Sequence, residues 1–136
     1  MEDMLVMPSF EAKFNNRFIV RFPEELGIPS WCVGQITKPN YINEDWSDII
    51  IQFRDPVVPS ISKIIYDILE TKIHGQQNPL KEFNIITLDA GGSEVENWLI
   101  IVDEIKIFNF GISAYYDDQI QTVTVYIKPS SCKLLY

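Results

Sequence analysis

The chain has 136 residues, of which 46% are hydrophobic, and its 19 acidic and 11 basic side chains give a formal net charge of −8. This length and composition predict one folded domain with its own core, which needs neither a disulfide nor a metal. The negative charge disfavours nucleic-acid and anionic-membrane binding, since both need clustered cations. The acidic start and short apolar runs indicate no signal peptide and no membrane span.

Short runs of β-forming residues, bounded by proline or turn residues, predict strands along most of the chain. These strands cover residues 17–22, 31–38, 47–54, 83–89, about 95–110 and 120–128. Two stretches, at 49–53 and 98–102, are apolar on both faces, whereas the outer face of a small sandwich usually meets water. Their second face therefore needs cover, either from the helix and loops of this chain or from a neighbouring subunit.

One helix is predicted over residues 60–73, with Ser60 as its N-cap and Gly75 as its stop. Its core-facing stripe has the spacing i, i+3, i+4, i+7, i+8 and consists of Ile61, Ile64, Ile65, Ile68 and Leu69. The predicted fold is mainly β, a two-sheet sandwich or barrel with this one helix closing an end. Residues 1–10 and 129–136 are predicted to be short arms, 39–46 a long loop, and 115–118 a polar turn.

No constellation of residues predicts catalysis, a cofactor site or a metal site. His74 is the only histidine, and its place in the last turn of the helix favours a structural role. Asp103 and Glu104 are neighbours on a strand and therefore point to opposite faces, which excludes a shared proton. The two cysteines are a hundred residues apart, outside any metal-binding spacing, and free thiols are favoured over a disulfide. We expect a protein that is not an enzyme and has no cofactor.

The order of elements resembles that of the phage tail tube family, which includes the tubes of contractile tails and related injection machines. The C-terminal half carries most of the similarity: residues 98–105, the bend Phe110-Gly111-Ile112, and a closing strand of the form Ile-Gln-Thr-x-x-Val from Ile120, which follows a polar acidic turn. Residues 18–20 and 29–33 are similar to the first two strands of that family.

The resemblance implies a tail-tube-like barrel that assembles into six-membered rings, in which the sheets of neighbouring subunits join. Stacked rings would form a hollow, acidic-lined conduit for genome delivery, assembled in the host cytoplasm and located in the virion tail. The implied partners are copies of the chain and the sheath and baseplate proteins, while DNA passes without specific binding and the chain does not insert into membranes. The alternatives are a tube initiator or baseplate component of the same fold, or a monomeric β-barrel that binds an apolar ligand.

Two sets of residues are candidates for these roles. The candidate lumen-lining residues are Asp48, Asp103, Glu104 and Asp118. The candidate subunit-interface residues are Met4, Leu5, Tyr41, Trp46, Ile49, Ile51, Trp98, Ile100, Leu134 and Tyr136. They are chosen because strands that are apolar on both faces, and apolar terminal segments, bury their surface best against another subunit.

Overall fold

A computed structural model describes residues 11–136. The predicted N-terminal arm, with the candidate interface residues Met4 and Leu5, lies outside the described residues. Within them, the strands and the α-helix in chain order are β1 (Phe18–Arg21), β2 (Val33–Ile36), β3 (Tyr41–Ile42), β4 (Asp45–Trp46), β5 (Ile49–Arg54), α1 (Ile61–Ile73), β6 (Glu82–Leu88), β7 (Glu94–Asn109) and β8 (Thr122–Leu134). Two short 3-10 helices, Glu24–Leu26 and Ser30–Cys32, lie between β1 and β2. The predicted mainly β fold with one helix is confirmed.

Six strands form one sheet in the order β1-β6-β7-β8-β5-β2, and every pairing is antiparallel. The sheet curls into a nearly closed barrel. Its two edge strands, β1 and β2, border a groove of about 660 Å³ along the seam. β3 and β4 form a separate two-stranded hairpin.

The barrel interior is filled by alternate side chains of neighbouring strands. Ile51 of β5 lies opposite Val125 of β8, and Phe53 lies opposite Val123. All four are at most 1% exposed. Because side chains of a strand alternate between its faces, this register directs the polar Gln52 and Thr124 to the other face, where both are half-buried.

The helix α1 begins as predicted at Ser60, whose hydroxyl accepts a hydrogen bond from the backbone N–H of Lys63 at 3.3 Å. Asp55 contributes a second cap, since its carboxylate accepts the N–H of Ile61 at 2.9 Å. The buried face of the helix consists of Ile61, Ile65 and Ile68. At its last turn, Lys72 reaches β7 and donates to the carbonyl oxygen of Ile105 at 2.6 Å. The helix therefore lies beside the second half of β7.

Two segments differ from their predictions. β8 continues through Pro129 to Leu134, so most of the predicted C-terminal arm is strand. Pro129 lies opposite Val102 at an irregularity of the ladder, where a missing N–H is tolerated. The predicted loop at 39–46 contains the β3–β4 hairpin, whose turn residues Asn43 and Glu44 both have positive φ, as a type I′ turn requires.

The long β7–β8 hairpin is staggered relative to its neighbours in the sheet. β6 pairs with β7 only as far as Ile101, and β5 pairs with β8 only as far as Ile127. Among the described residues, the rest of each long strand has a ladder partner on one side only. The β3–β4 hairpin contacts β8 through an ion pair of Asp45 with Lys128 at 3.5 Å, without joining its ladder.

Candidate assembly surfaces

One end of the β7–β8 hairpin carries a group of large apolar side chains, which we call the aromatic corner. It consists of Tyr41, Ile42, Trp46, Trp98, Leu134 and Tyr136. The Trp46 ring meets the edge of Tyr41 at 5.0 Å and of Trp98 at 6.3 Å between centroids. Trp98 is the cross-strand partner of Leu134. Tyr41 remains 61% exposed and Leu134 52%, so the corner is a surface as well as a packing cluster.

Five of the predicted interface residues lie in the aromatic corner: Tyr41, Trp46, Trp98, Leu134 and Tyr136. Three others, Ile49, Ile51 and Ile100, are corrected by the structure, because each is 0% exposed and belongs to the core of its own chain. The opposite faces of the same strands carry Ile50 and Ile101, which are half-buried. The strands thus keep an incompletely covered face, but it is formed by the alternate residues.

Glu96 lies beneath the corner and is 9% exposed. Its carboxylate accepts hydrogen bonds from Lys38 Nζ at 2.6 Å, Trp98 Nε1 at 2.8 Å and Lys13 Nζ at 3.1 Å. Burial raises the pKa of Glu96, but the lysine hydrogen bonds together outweigh burial and hold this pKa below its ordinary value. The carboxylate therefore ties together β7, the segment after β2 and the segment before β1.

The four candidate lumen acids do not form one patch. Asp48 pairs with Lys106 at 3.0 Å, and Glu104 pairs with Lys72 at 3.3 Å. Asp118 lies in the connection between β7 and β8. Asp103 is the extra residue of an irregularity between Val102 and Glu104, which breaks the strict alternation that the sequence predicted.

Asp103 and Glu104 both border a groove of about 290 Å³ between the end of α1 and β7. This groove is adjacent to the half of β7 that extends beyond β6. Two of the four candidate acids therefore lie next to an unpaired strand edge.

The opposite end of the hairpin carries a second apolar surface, which we call the loop end. It consists of Val57, Val58, Ile112, Tyr115, Tyr116 and Ile120. The two contributing loops are joined by a hydrogen bond from the Asp55 N–H to the Gln121 carbonyl oxygen at 3.0 Å. The sequence predicts a polar turn at residues 115–118, and the chain does turn at Tyr115 and Tyr116. Both tyrosines are exposed, so the turn is also apolar, as the high density of large apolar residues between 110 and 120 indicates.

The remaining candidate chemical groups are dispersed. Cys32 and Cys132 are both free and buried, and burial raises the pKa of Cys132 to about 11. His74 is the C-cap of α1 and is exposed. In residues 11–136, no group of three or more His, Cys, Asp or Glu side chains has a metal-binding arrangement.

The chain matches no model of a known protein family, and no curated protein is detectably similar to it. None of the helices in residues 11–136 combines the length and the apolar character needed to cross a membrane.

Proposed function

We propose that this chain is a structural subunit of a phage tail tube. In this proposal the subunits form stacked six-membered rings that enclose a hollow, acidic-lined conduit for genome delivery. The observation that carries the proposal is the stagger of the β7–β8 hairpin. It leaves two main-chain edges without a neighbouring strand among the described residues, on opposite sides of one long hairpin and at opposite ends of it. At the β7 edge, the Ile105 carbonyl oxygen accepts a hydrogen bond from Lys72 of α1 instead.

These two edges are complementary in direction. β7 and β8 are antiparallel, so the β8 edge of a neighbour can extend the sheet beside the β7 edge of this subunit without reversing a strand. A contact between two different edges is head-to-tail, and a head-to-tail contact that closes on itself produces a ring. Pairing also removes the exposed N–H and C=O groups that make a free edge prone to uncontrolled association.

The aromatic corner supplies side-chain contacts beside one of these edges. It adjoins the part of β8 that extends beyond β5, through the pairing of Trp98 with Leu134. Tryptophan and tyrosine are the residue types that dominate binding energy at protein interfaces. The corner therefore favours a protein partner, and a second copy of the chain is the one that the paired-edge arrangement requires.

The acidic lining is part of the same proposal. Asp103 and Glu104 lie on β7 immediately beyond its last pairing with β6. In a joined sheet this position is close to the subunit boundary, so each ring would repeat these carboxylates around its circumference. Like charge prevents adhesion of DNA, which fits a conduit whose cargo passes without binding. The proposed location is the virion tail, with sheath and baseplate proteins as further partners.

A ligand-binding barrel is less well supported, because the barrel interior is occupied by its own side chains. Phe53, Phe83 and Ile127 are at most 1% exposed, and they belong to one continuous core cluster. Apolar ligands bind in concave, partly empty sites. The apolar surface that remains open lies outside the barrel.

The test is sedimentation velocity and negative-stain electron microscopy of the purified chain over increasing concentration. We expect rings and tubes that appear with concentration; rings that never extend would favour a tube initiator or baseplate role of the same fold. The variant Tyr41→Ser combined with Ile42→Ser should raise the concentration needed for ring formation about tenfold. Trp31→Ser is the matched control, because Trp31 is 58% exposed, as Ile42 is, but lies outside the aromatic corner. A wild-type chain that stays monomeric at high concentration overturns the proposal.

A further inference from the structure

The two free edges of the β7–β8 hairpin are equal in length. On β7 the N–H of Val102 still donates to the Lys81 carbonyl oxygen at 2.9 Å, so the edge without a neighbouring strand among the described residues is 103–109. On β8 the pairing with β5 ends at Ile127, which leaves 128–134. The two edges can therefore pair along their whole length.

Main-chain hydrogen bonds show which residues of these edges face a neighbour. The carbonyl oxygen of Ile105 accepts a hydrogen bond from Lys72 of α1, so it points away from β8 and toward the free edge. At the end of β8, the N–H of Leu135 donates to the Asn97 carbonyl oxygen of β7 at 2.8 Å. Because successive residues of a strand point their main-chain groups to alternate sides, Cys132 points away from β7, toward the other free edge.

Side-chain burial matches the same two residues. Ile105 is 2% exposed and Cys132 is 9% exposed, so both side chains point to the core, whereas the adjacent Glu104 and Lys133 are exposed. Residues that lie directly opposite in a sheet have their side chains on one face. In an antiparallel ladder, Ile105 opposite Cys132 also places Glu104 opposite Lys133. A shift by one residue in either direction would oppose core residues with exposed ones.

We propose that β7 joins β8 of a neighbouring copy with Ile105 opposite Cys132, and that Glu104 forms an ion pair with Lys133 of that copy. This inference rests on the proposed function and assigns the register of the lateral contact within a ring.

The irregularities of the two strands coincide in this register. Each strand carries one extra residue in the middle of its free edge, Lys106 on β7 and Ser130 on β8. In the joined ladder these extra residues lie in the same step. The pairing therefore resumes beyond them with Phe108 opposite Pro129, which are half-buried and buried on the core side.

Charge favours the same partners. The free edge of β8 carries Lys128 and Lys133 and no acidic residue, whereas that of β7 carries Asp103 and Glu104 and one lysine, which is paired within its own chain. Opposite charges across two strands are stabilising, and like charges are destabilising. Asp103 has no ion-pair partner among residues 11–136, and it keeps the negative charge of the proposed lining.

Lys72 occupies the β7 edge in the single subunit. Its Nζ contacts the Glu104 carboxylate at 3.3 Å and the Ile105 carbonyl oxygen at 2.6 Å. The Lys72 side chain is 44% exposed, so it can turn to solvent when a strand arrives. The neighbour then replaces both contacts, with the N–H of Cys132 at the carbonyl oxygen and Lys133 at the carboxylate.

The first experiment detects the register by crosslinking. We expect Glu104→Cys combined with Lys133→Cys to give disulfide-linked species of up to six chains on oxidation, measured on a non-reducing gel. Opposed residues of neighbouring strands have the Cα separation that a disulfide needs. A bond within one chain is excluded, because Glu104 pairs there with Lys128, and Lys133 lies about 15 Å further along β8.

The matched control is Ile107→Cys combined with Lys133→Cys. Ile107 is also exposed on β7, but in this register it lies opposite residue 130, so the control should stay monomeric on the gel. Rings of the Glu104→Cys, Lys133→Cys chain that do not crosslink, or equal crosslinking of both chains, overturn the register alone. A wild-type chain that forms no rings overturns the proposed function with it.

The second experiment exchanges the charges. We expect Glu104→Lys to raise the concentration needed for ring formation about fivefold, and Lys133→Glu in the same chain to restore the wild-type value. Lys72→Gln is the control for the contact that Glu104 loses within its own chain, and alone it should not weaken ring formation. Sedimentation velocity measures ring formation, and thermal unfolding checks that each variant is folded. A defect of Glu104→Lys that Lys133→Glu leaves unchanged overturns the ion pair.

Discussion

Replacing Glu96 with glutamine tests whether this carboxylate holds the corner together. The substitution keeps an acceptor for Trp98 Nε1 but removes the charge that Lys13 and Lys38 bind. A hydrogen bond to a charged group contributes about 1.5–3 kcal/mol, and the lower end applies here because each lysine side chain is about half exposed. After a further discount for solvent screening, the two contacts amount to about 2 kcal/mol of unfolding free energy.

The assay is urea unfolding at pH 7, followed by tryptophan fluorescence. A loss of about 2 kcal/mol lowers the midpoint by roughly 1 M urea if the slope with denaturant is unchanged. Glu82→Gln is the matched control, because Glu82 is an exposed glutamate of β6 that has no ion pair with another described residue. A midpoint for Glu96→Gln that coincides with that of Glu82→Gln would refute the assignment.

The same comparison has a defined pH dependence. The pKa of Glu96 is lower in the folded than in the unfolded chain. The stabilisation by its charge is therefore fully present above the unfolded value, about 4.3, and is lost as pH falls through the folded pKa. The difference in unfolding free energy between wild type and Glu96→Gln should be constant near neutral pH and should shrink in acid. A difference that stays constant throughout the acid range contradicts an electrostatic origin.

Two further substitutions test the core and the loop. Ile51→Ala should lower the unfolding free energy by about 2–5 kcal/mol, measured by urea unfolding, because Ile51 has no exposed surface. The folded variant should still assemble at the wild-type concentration; a stable variant that is defective in assembly would contradict the placement of Ile51 in the core. Gly111→Ala should cost about 1–3 kcal/mol by the same measurement, because Gly111 has φ +84° and a Cβ there would lie 3.0 Å from the Thr122 carbonyl oxygen. Gly91→Ala, whose nearest atom would be at 3.6 Å, is its control and should be nearly neutral.

The elements that the sequence predicted well are those whose pattern is local. The alternation in β1 and β8 and the stripe of α1 are set by which side chains face the core, and this can be read at periods of 2 and 3.6. The β3–β4 hairpin has no such signal. Glu44 is an unusual residue at positive φ, and the ring contact of Tyr41 with Trp46 supports the turn from outside it.

Which residues form the candidate assembly surfaces depends on the pairing of strands that are far apart in the sequence. In a run such as Ile49-Ile50-Ile51, both faces are equally apolar, so only the register with β8 determines that Ile49 and Ile51 enter the core and Ile50 does not. Glu96 has no local signal either, because Lys13 and Lys38 are 83 and 58 residues away in the chain. The sequence could indicate that an apolar face needed cover, but it could not identify which residues form that face.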